Sequence, residues 1–226
     1  MFVQKHKFLT QPIKRFTIFA ERHSGTNYLE YVISKNLSID ITWDFGWKHW
    51  FADKNWSILN NNRNTLFIGI VRNIYDWIGG MANSPHHLIK ISKKNYNSLL
   101  SEPFVSYDKN KNIIHADLNF ITSKVYSNIF ECRYYKNNFL FHYMPFLVDN
   151  YILIRHEDFI LHHENIVAEI LKFYDLKKRR KYYISSNPLN ISQKKPYVFS
   201  KNIIERINKN TIWDAEIIYD YSMITS

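Results

Sequence analysis

The sequence predicts an α/β fold, a three-layer sandwich whose mostly parallel central sheet carries a P-loop-like phosphate-binding strand–loop–helix. Three short apolar runs, at 16–20, 66–71 and 151–154, have the length and composition of buried strands. Apolar residues at helical spacing follow the first and third runs, at 28–37 and 166–174. Buried strands that alternate with amphipathic helices are typical of a parallel sheet covered on both faces.

Polar segments that contain arginine follow the three predicted strands. They span 22–27, 72–76 and 155–158. In parallel sheets, ligands bind beyond the carboxyl ends of the strands. We therefore expect these segments to meet at one edge of the sheet and to form the functional site there.

Length and composition predict a single globular domain, 1–226. Hydrophobic residues make up 46% of the chain, and 5 Gly and 6 Pro are too few for a low-complexity sequence. Between 90 and 127 the periodic pattern gives way to mixed Lys, Asn, Ser and Tyr. This stretch is interpreted as an insertion or a mobile region.

The chain is basic, with 30 Lys and Arg against 20 Asp and Glu, a net charge of +10. Such an excess favours anionic partners, although a general enrichment in Lys and Asn would produce it without any function. No nucleic-acid signature is present, so no specific nucleic-acid partner is expected. Cys132 is the single cysteine, which excludes an intramolecular disulfide and a Cys-rich zinc site. With neither a signal-peptide core nor a transmembrane run, the expected location is cytoplasmic.

The segment after the first strand has the composition of a phosphate-binding loop. A loop between a strand and a helix presents unpaired N–H groups and the positive end of the helix dipole. Gly25 permits a close approach of the ligand, and its neighbours supply hydroxyl and cationic donors. The binding residues predicted here are Arg22, His23, Ser24, Gly25, Thr26, Asn27 and Tyr28. A plain helix N-cap with a turn glycine would have the same sequence. No lysine follows the glycine as in nucleoside-triphosphate loops.

Five elements together carry a family resemblance. Residues 22–29, RHSGTNYL, resemble the 5′-phosphosulfate loop, R-x-SGTNYL, of one branch of the sulfotransferases that use 3′-phosphoadenosine-5′-phosphosulfate (PAPS). Residues 71–77, VRNIYDW, are similar to that family's 3′-phosphate segment, VRNPYDW, and 47–49 to its WKH element. Residues 153–159, LIRHEDF, resemble its strand end LVRYEDL, and 212–221 its closing helix. The elements occur in the family's order along nearly the whole chain, which implies the sulfotransferase fold.

The resemblance also implies a reaction, the transfer of a sulfuryl group from PAPS to a hydroxyl or amine of a small-molecule or glycan acceptor, such as a glycolipid, without a metal ion. Arg22, His23 and the loop amides would bind the 5′-phosphate, and Arg22 would also act catalytically by stabilising charge on the leaving bridge oxygen. Arg72 would pair with the 3′-phosphate. His49 would be the general base, because histidine titrates near neutrality. Lys48 would orient the acceptor or the sulfonate. A packed His49 without a catalytic role also fits the pattern.

Three positions depart from the family's pattern. Ile74 replaces the usual proline. Gly80 stands where the family has the serine that binds the 3′-phosphate, and His23 stands where the cytosolic branch has its loop lysine. The last two leave room for a lesser activity or another nucleotide.

Several further charged residues have two interpretations. Arg133 and Lys136 belong to a predicted helix and either face the ligands or are solvated surface charge. Lys194 and Lys195 either close over the nucleotide or are solvated. Arg155 and the carboxylates after it are expected to form a structural network. The adjacent histidines at 86–87 and 162–163 are interpreted as surface residues and not as metal ligands.

Two other functions remain open on the sequence alone. The first is a nucleotide-dependent phosphotransferase, against which the missing Gly-Lys-Ser/Thr argues. The second is a non-catalytic protein that binds polyanions or nucleic acid, which would account for the basic charge and the aromatic residues.

Overall fold

The computed structural model describes residues 2–8, 11–51, 56–179 and 197–225, which form a five-stranded sheet flanked by helices. The strands are β1 (Phe2–Lys7), β2 (Arg15–Phe19), β3 (Asp40–Ile41), β4 (Thr65–Val71) and β5 (Asn150–Arg155). Their order across the sheet is β1-β5-β4-β2-β3. β1 is antiparallel to β5, and every other neighbouring pair is parallel. The predicted α/β fold with a mostly parallel sheet is confirmed.

Eight α-helices lie in the described part of the chain. They are α1 (Thr26–Asn36), α2 (Ile74–Asn83), α3 (Tyr96–Ser101), α4 (Ile129–Asn138), α5 (Met144–Leu147), α6 (His156–Tyr174), α7 (Lys201–Asn210) and α8 (Asp214–Ile217). A π-helical turn, Phe139–Tyr143, joins α4 to α5. The long helix α6 is kinked at His162, whose backbone is not helical. None of the described helices is long and apolar enough to cross a membrane.

Alternate residues of the central strands face two different hydrophobic clusters. Ile68 of β4 packs with residues of α1 and α6, whereas Phe67 packs with the π-helical turn and α5. All seven residues of β4 are buried, as a strand covered on both faces requires. A third cluster joins α2, α3, α4 and α7.

The strand order reverses between β2 and β4, where folds of this kind place a ligand crevice. β2 is followed by α1 and then β3 on one side, while β4 pairs with the other side of β2. At such a switch in strand order, the connections after the two central strands diverge and leave room for a ligand at their carboxyl ends. The segments that flank this crevice are 20–25 and 72–73.

Two regions have more structure than their sequences indicate. The polar N-terminal residues form β1, an edge strand that pairs with β5 along its length. The segment 90–127 contains α3, buries Phe104 and Phe120, and brings the polar residues Ser106 and Asp117 into the interior.

Candidate functional site

The loop after β2 turns into α1 at Gly25. Gly25 is the N-cap residue with φ of 89°, in the left-handed region that favours glycine. Its carbonyl accepts hydrogen bonds from the amides of Tyr28 and Leu29, both at 3.1 Å. The amides of Thr26 and Asn27, in the first turn, have no partner within the helix. These amides and the dipole of the 11-residue helix give this end of α1 a positive potential.

Gly25 is also required by the space around it. A Cβ built on this residue would lie 2.6 Å from Cε1 of His156 and closer still to Nδ1. His156 begins α6, directly after β5, and its Nδ1 is buried without a hydrogen-bond partner among the described residues. Burial lowers the pKa of this ring to about 3, and the charge of Arg72 adds to the effect. The sequence predicts that the segment 155–158 lies near the loop, but it does not single out His156 as the residue that packs against Gly25.

Arg72 connects the loop to the end of β4. Its Nη1 donates to the carbonyl of His23 at 2.9 Å, and Nε has no partner among the described residues. The side chain is half-buried. A second link comes from Trp77, whose indole N–H donates to the carbonyl of Arg22 at 2.9 Å. The two predicted phosphate segments are therefore joined by direct hydrogen bonds.

His23 is held between two elements. Its Nε2 lies 2.8 Å from the carbonyl of Ser84, so Nε2 carries the proton, and its ring stacks on His86 with centroids 5.3 Å apart. Burial lowers the pKa of His23 to about 4. Residue 23 has φ of 63°. A Cβ built on Gly80 would lie 2.9 Å from Cβ of His23, so the space of the family's usual serine is taken by His23.

Lys48 lies across the start of α1. Its Nζ donates to Asn27 at 2.7 Å and to Glu30 at 3.1 Å. The same ammonium is 5.7 Å from the ring centroid of Trp43 and 5.4 Å from that of Trp47. These contacts hold a buried cation beside the loop.

His49 lies next to the end of β2, and its tautomer is fixed by one hydrogen bond. Nδ1 is 2.8 Å from the carbonyl of Ala20, which can only accept, so the proton is on Nδ1 and Nε2 has a free lone pair in the neutral ring. Burial lowers the pKa of His49 to about 3, and nearby cations add to this effect. The main-chain N–H of Ala20 donates to the carbonyl of Lys48 at 2.9 Å.

Arg22, predicted to bind phosphate, has an extensive set of protein partners. Its Nη1 donates to the carbonyl of His86 and to Ser106, both at 2.9 Å, and Nη2 lies 3.3 Å from Asp117. The guanidinium is also 5.3 Å from the centroid of Trp50 and is almost fully buried. A direct contact of Arg22 with phosphate stays a prediction.

The buried charges next to Arg22 had no signal in the sequence. Lys136 is fully buried and donates to Glu21, to Asp117 and, at 2.9 Å, to the carbonyl of His49. Burial alone would lower the pKa of Lys136, but the carboxylates of Asp117 and Glu21 raise it above its usual value, so the ammonium is charged.

Arg133 occupies a matching position one turn earlier on α4. Its Nε and Nη2 each lie 2.6 Å from a carboxylate oxygen of Glu216, and Nη2 also donates to the carbonyl of Arg72 at 2.8 Å. The interpretation of Arg133 and Lys136 as solvated surface charge is wrong, because buried carboxylates compensate both cations.

The remaining predicted residues have these positions. Ser24 and Thr26 are buried in the loop, and Tyr28 packs its ring against Phe159 and His163. Asn73 caps α2 by accepting from the amide of Tyr75 at 3.0 Å. Lys194 and Lys195 lie outside the described residues.

The segment after β5 forms the expected structural network, with bonds to the segment after β4 and to the C-terminal region. Glu157 accepts from the amide of Asn73 at 2.9 Å and from the hydroxyl of Tyr221 at 2.7 Å. Arg155 pairs with Asp158 at 2.7 Å. His86, His87 and His162 are exposed, while His163 is half-buried. Among the described residues, no group of three or more His, Cys, Asp or Glu side chains is placed to hold a metal ion.

Neither a scan against protein-family models nor a search of curated protein sequences gives a match to this chain.

Proposed function

We propose that this chain is a PAPS-dependent sulfotransferase that acts on a hydroxyl or amine acceptor. The main support is a set of hydrogen bonds that joins three segments, 22–29, 47–49 and 71–77. These are the segments that resemble the family's nucleotide-binding and catalytic elements. Arg72 donates to the carbonyl of His23, Lys48 donates to the side chain of Asn27, and His49 donates to the carbonyl of Ala20. Segments far apart in the sequence thus lie together beside the ends of β2 and β4, where we place the ligand crevice.

The donors at this crevice suit an anionic ligand with two separated phosphates. The amides at the start of α1 and the helix dipole favour one anionic group, and the half-buried guanidinium of Arg72, at the end of β4, is our proposed donor to a second. Lys48 adds a buried positive charge between the loop and His49. Such a fixed arrangement of donors stabilises charge that develops during transfer.

In the proposed step, the acceptor hydroxyl loses its proton to Nε2 of His49 while its oxygen forms a bond to sulfur. The bond between sulfur and the oxygen bridging to the 5′-phosphate breaks, and its electron pair leaves with adenosine-3′,5′-bisphosphate. The neutral His49 ring, protonated on Nδ1, has Nε2 in the form that can accept this proton. Binding of the anionic donor would raise the pKa of His49 from its low value in the free protein, because nearby negative charge favours the imidazolium.

His23 has a different role in this proposal from that of the lysine it replaces. Its Nε2–H is used by the carbonyl of Ser84, and its own carbonyl accepts from Arg72. His23 therefore places the Arg72 guanidinium, and the backbone amides supply the contacts to the 5′-phosphate.

The test is calorimetric titration with adenosine-3′,5′-bisphosphate, with ATP for comparison. Arg72→Ala should abolish micromolar binding. Arg63→Ala is a matched control, because the exposed Arg63 precedes β4 and Arg72 follows it, so the two lie at opposite edges of the sheet. Equal loss of binding in both variants, or tighter binding of ATP than of the bisphosphate, would contradict the proposal.

A further inference from the structure

Helix α4 presents two buried cations to the backbone of two residues of the proposed site. Arg133 and Lys136 are three residues apart and therefore lie on the same face of the helix. Arg133 reaches the carbonyl of Arg72 at 2.8 Å, and Lys136 reaches the carbonyl of His49 at 2.9 Å. One turn of α4 thus contacts the backbone of Arg72, the proposed phosphate ligand, and of His49, the proposed base.

Each cation is fixed in direction by its carboxylates. Glu216 of α8 holds the Arg133 guanidinium through both oxygens, and the guanidinium lies 5.2 Å from the ring of Trp77. Glu21 and Asp117 hold the ammonium of Lys136. Glu21 is itself part of the loop after β2, so this group connects the loop, the 47–50 segment and the 90–127 segment.

Stability is a weak reason for such a construction. The free energy lost when an ion pair is removed from water is about as large as the free energy gained from its attraction. Apolar residues of similar volume therefore often give a protein of equal stability. Apolar residues, however, cannot donate to a carbonyl. Arg133 and Lys136 differ from apolar replacements in this respect. Each pairs with its carboxylates and also donates an N–H to one main-chain oxygen.

We infer that Arg133 and Lys136 are positioning residues, through which α4 fixes the backbone of Arg72 and of His49 at the geometry needed for binding and proton transfer. The inference rests on the proposed function for its catalytic meaning. The mechanical part, that these two donors order the segments 70–74 and 47–51, is independent of any ligand.

The test uses variants that remove each donor without leaving an uncompensated buried charge. Arg133→Met with Glu216→Gln removes the first ion pair. Lys136→Met with Asp117→Asn removes the second and leaves Glu21 beside Arg22, with Nε and Oε2 3.8 Å apart. The matched control is Ile129→Ala, which creates a cavity in the same helix at a fully buried residue with no role in the two contacts.

The first readout is amide hydrogen exchange of the unliganded proteins at a temperature where all remain folded. We expect exchange at least about tenfold faster at 70–74 in the first variant and at 47–51 in the second, beyond the change in Ile129→Ala. Exchange that increases only as much as in the control, or evenly over the chain, would overturn the inference.

The second readout links the segments to function. The Arg133 variant should bind adenosine-3′,5′-bisphosphate at least about tenfold more weakly than Ile129→Ala, and the Lys136 variant should titrate His49 at higher pH by NMR, because a neighbouring cation is lost. If the wild type does not bind the bisphosphate but exchange is locally faster, the proposed function fails and the positioning role stands. If the wild type binds and neither segment responds, the positioning role fails and the proposed function stands.

Discussion

Gly25 is the residue at which the loop's conformation and its packing can be separated by experiment. Gly25→Ala introduces a Cβ at φ of 89°, which costs about 1–2 kcal/mol for the left-handed backbone. The same Cβ would meet the ring of His156, 2.6 Å from Cε1. Forcing that ring aside should cost about 1–3 kcal/mol more, as overpacking of an ordered interior does.

Gly46 provides the matched control, because its φ is 97° and nothing lies within 4 Å of the position its Cβ would take. Gly46→Ala should therefore lose only the backbone contribution, about 1–2 kcal/mol of the free energy of unfolding. Urea denaturation at constant pH measures both variants. Gly25→Ala should be less stable than Gly46→Ala by about 1–3 kcal/mol, and this difference should disappear in a His156→Ala background. An equal loss at the two glycines, or a difference that persists without His156, would refute the proposed packing of the loop on α6.

Two further predictions concern the same site. Gly80→Ser should lower the free energy of unfolding of the wild type by about 1–2 kcal/mol. In a His23→Gly background the same change should be neutral or stabilising, because the Cβ of His23, 2.9 Å from the position of a Cβ on residue 80, is then absent. Equal effects in both backgrounds would show that the two positions do not interact. Acid should destabilise the protein between pH 6.5 and 4. The pKa values of His23, His49 and His156 are lowered in the folded protein to about 4, 3 and 3, so in this range the unfolded chain binds more protons than the folded one. His156→Gln should flatten this slope by up to about 1.4 kcal/mol per pH unit in urea denaturation; an unchanged slope would mean that His156 is already protonated in the folded protein.

The central strands could be predicted because they are buried on both faces. The runs at 66–71 and 151–154 are continuous apolar sequences, and they correspond to β4 and β5. β1 could not be predicted in the same way, since an edge strand needs few apolar residues and FVQKHK contains mostly polar ones. Its place depends on pairing with β5, far away in the sequence.

Some features of the candidate site were also predictable from the sequence, whereas others depend on tertiary partners. The position of Arg72 beside the loop follows from the rule that carboxyl ends of parallel strands share an edge. A site role for His49 is expected only from the family resemblance, because no predicted strand ends at residue 49. The burial of Arg133 and Lys136 does not follow from their local sequence. Glu216 lies 83 residues from Arg133, and Glu21 and Asp117 lie 115 and 19 residues from Lys136. Basic residues in a polar helix are normally exposed, and only a tertiary partner reverses that expectation.

The most direct measurement of the central claim is sulfuryl transfer from radiolabelled PAPS to a panel of oligosaccharides, glycolipids and small hydroxylated compounds. The wild type and Arg63→Ala should both transfer label to at least one acceptor class and release adenosine-3′,5′-bisphosphate in an amount equal to the label transferred. His49→Ala should lose roughly 10²–10⁴-fold in rate, the usual contribution of a general base. Bisphosphate binding without transfer to any acceptor class would contradict the proposed sulfotransferase activity. Transfer that is unchanged in His49→Ala would contradict the role of His49 as the general base.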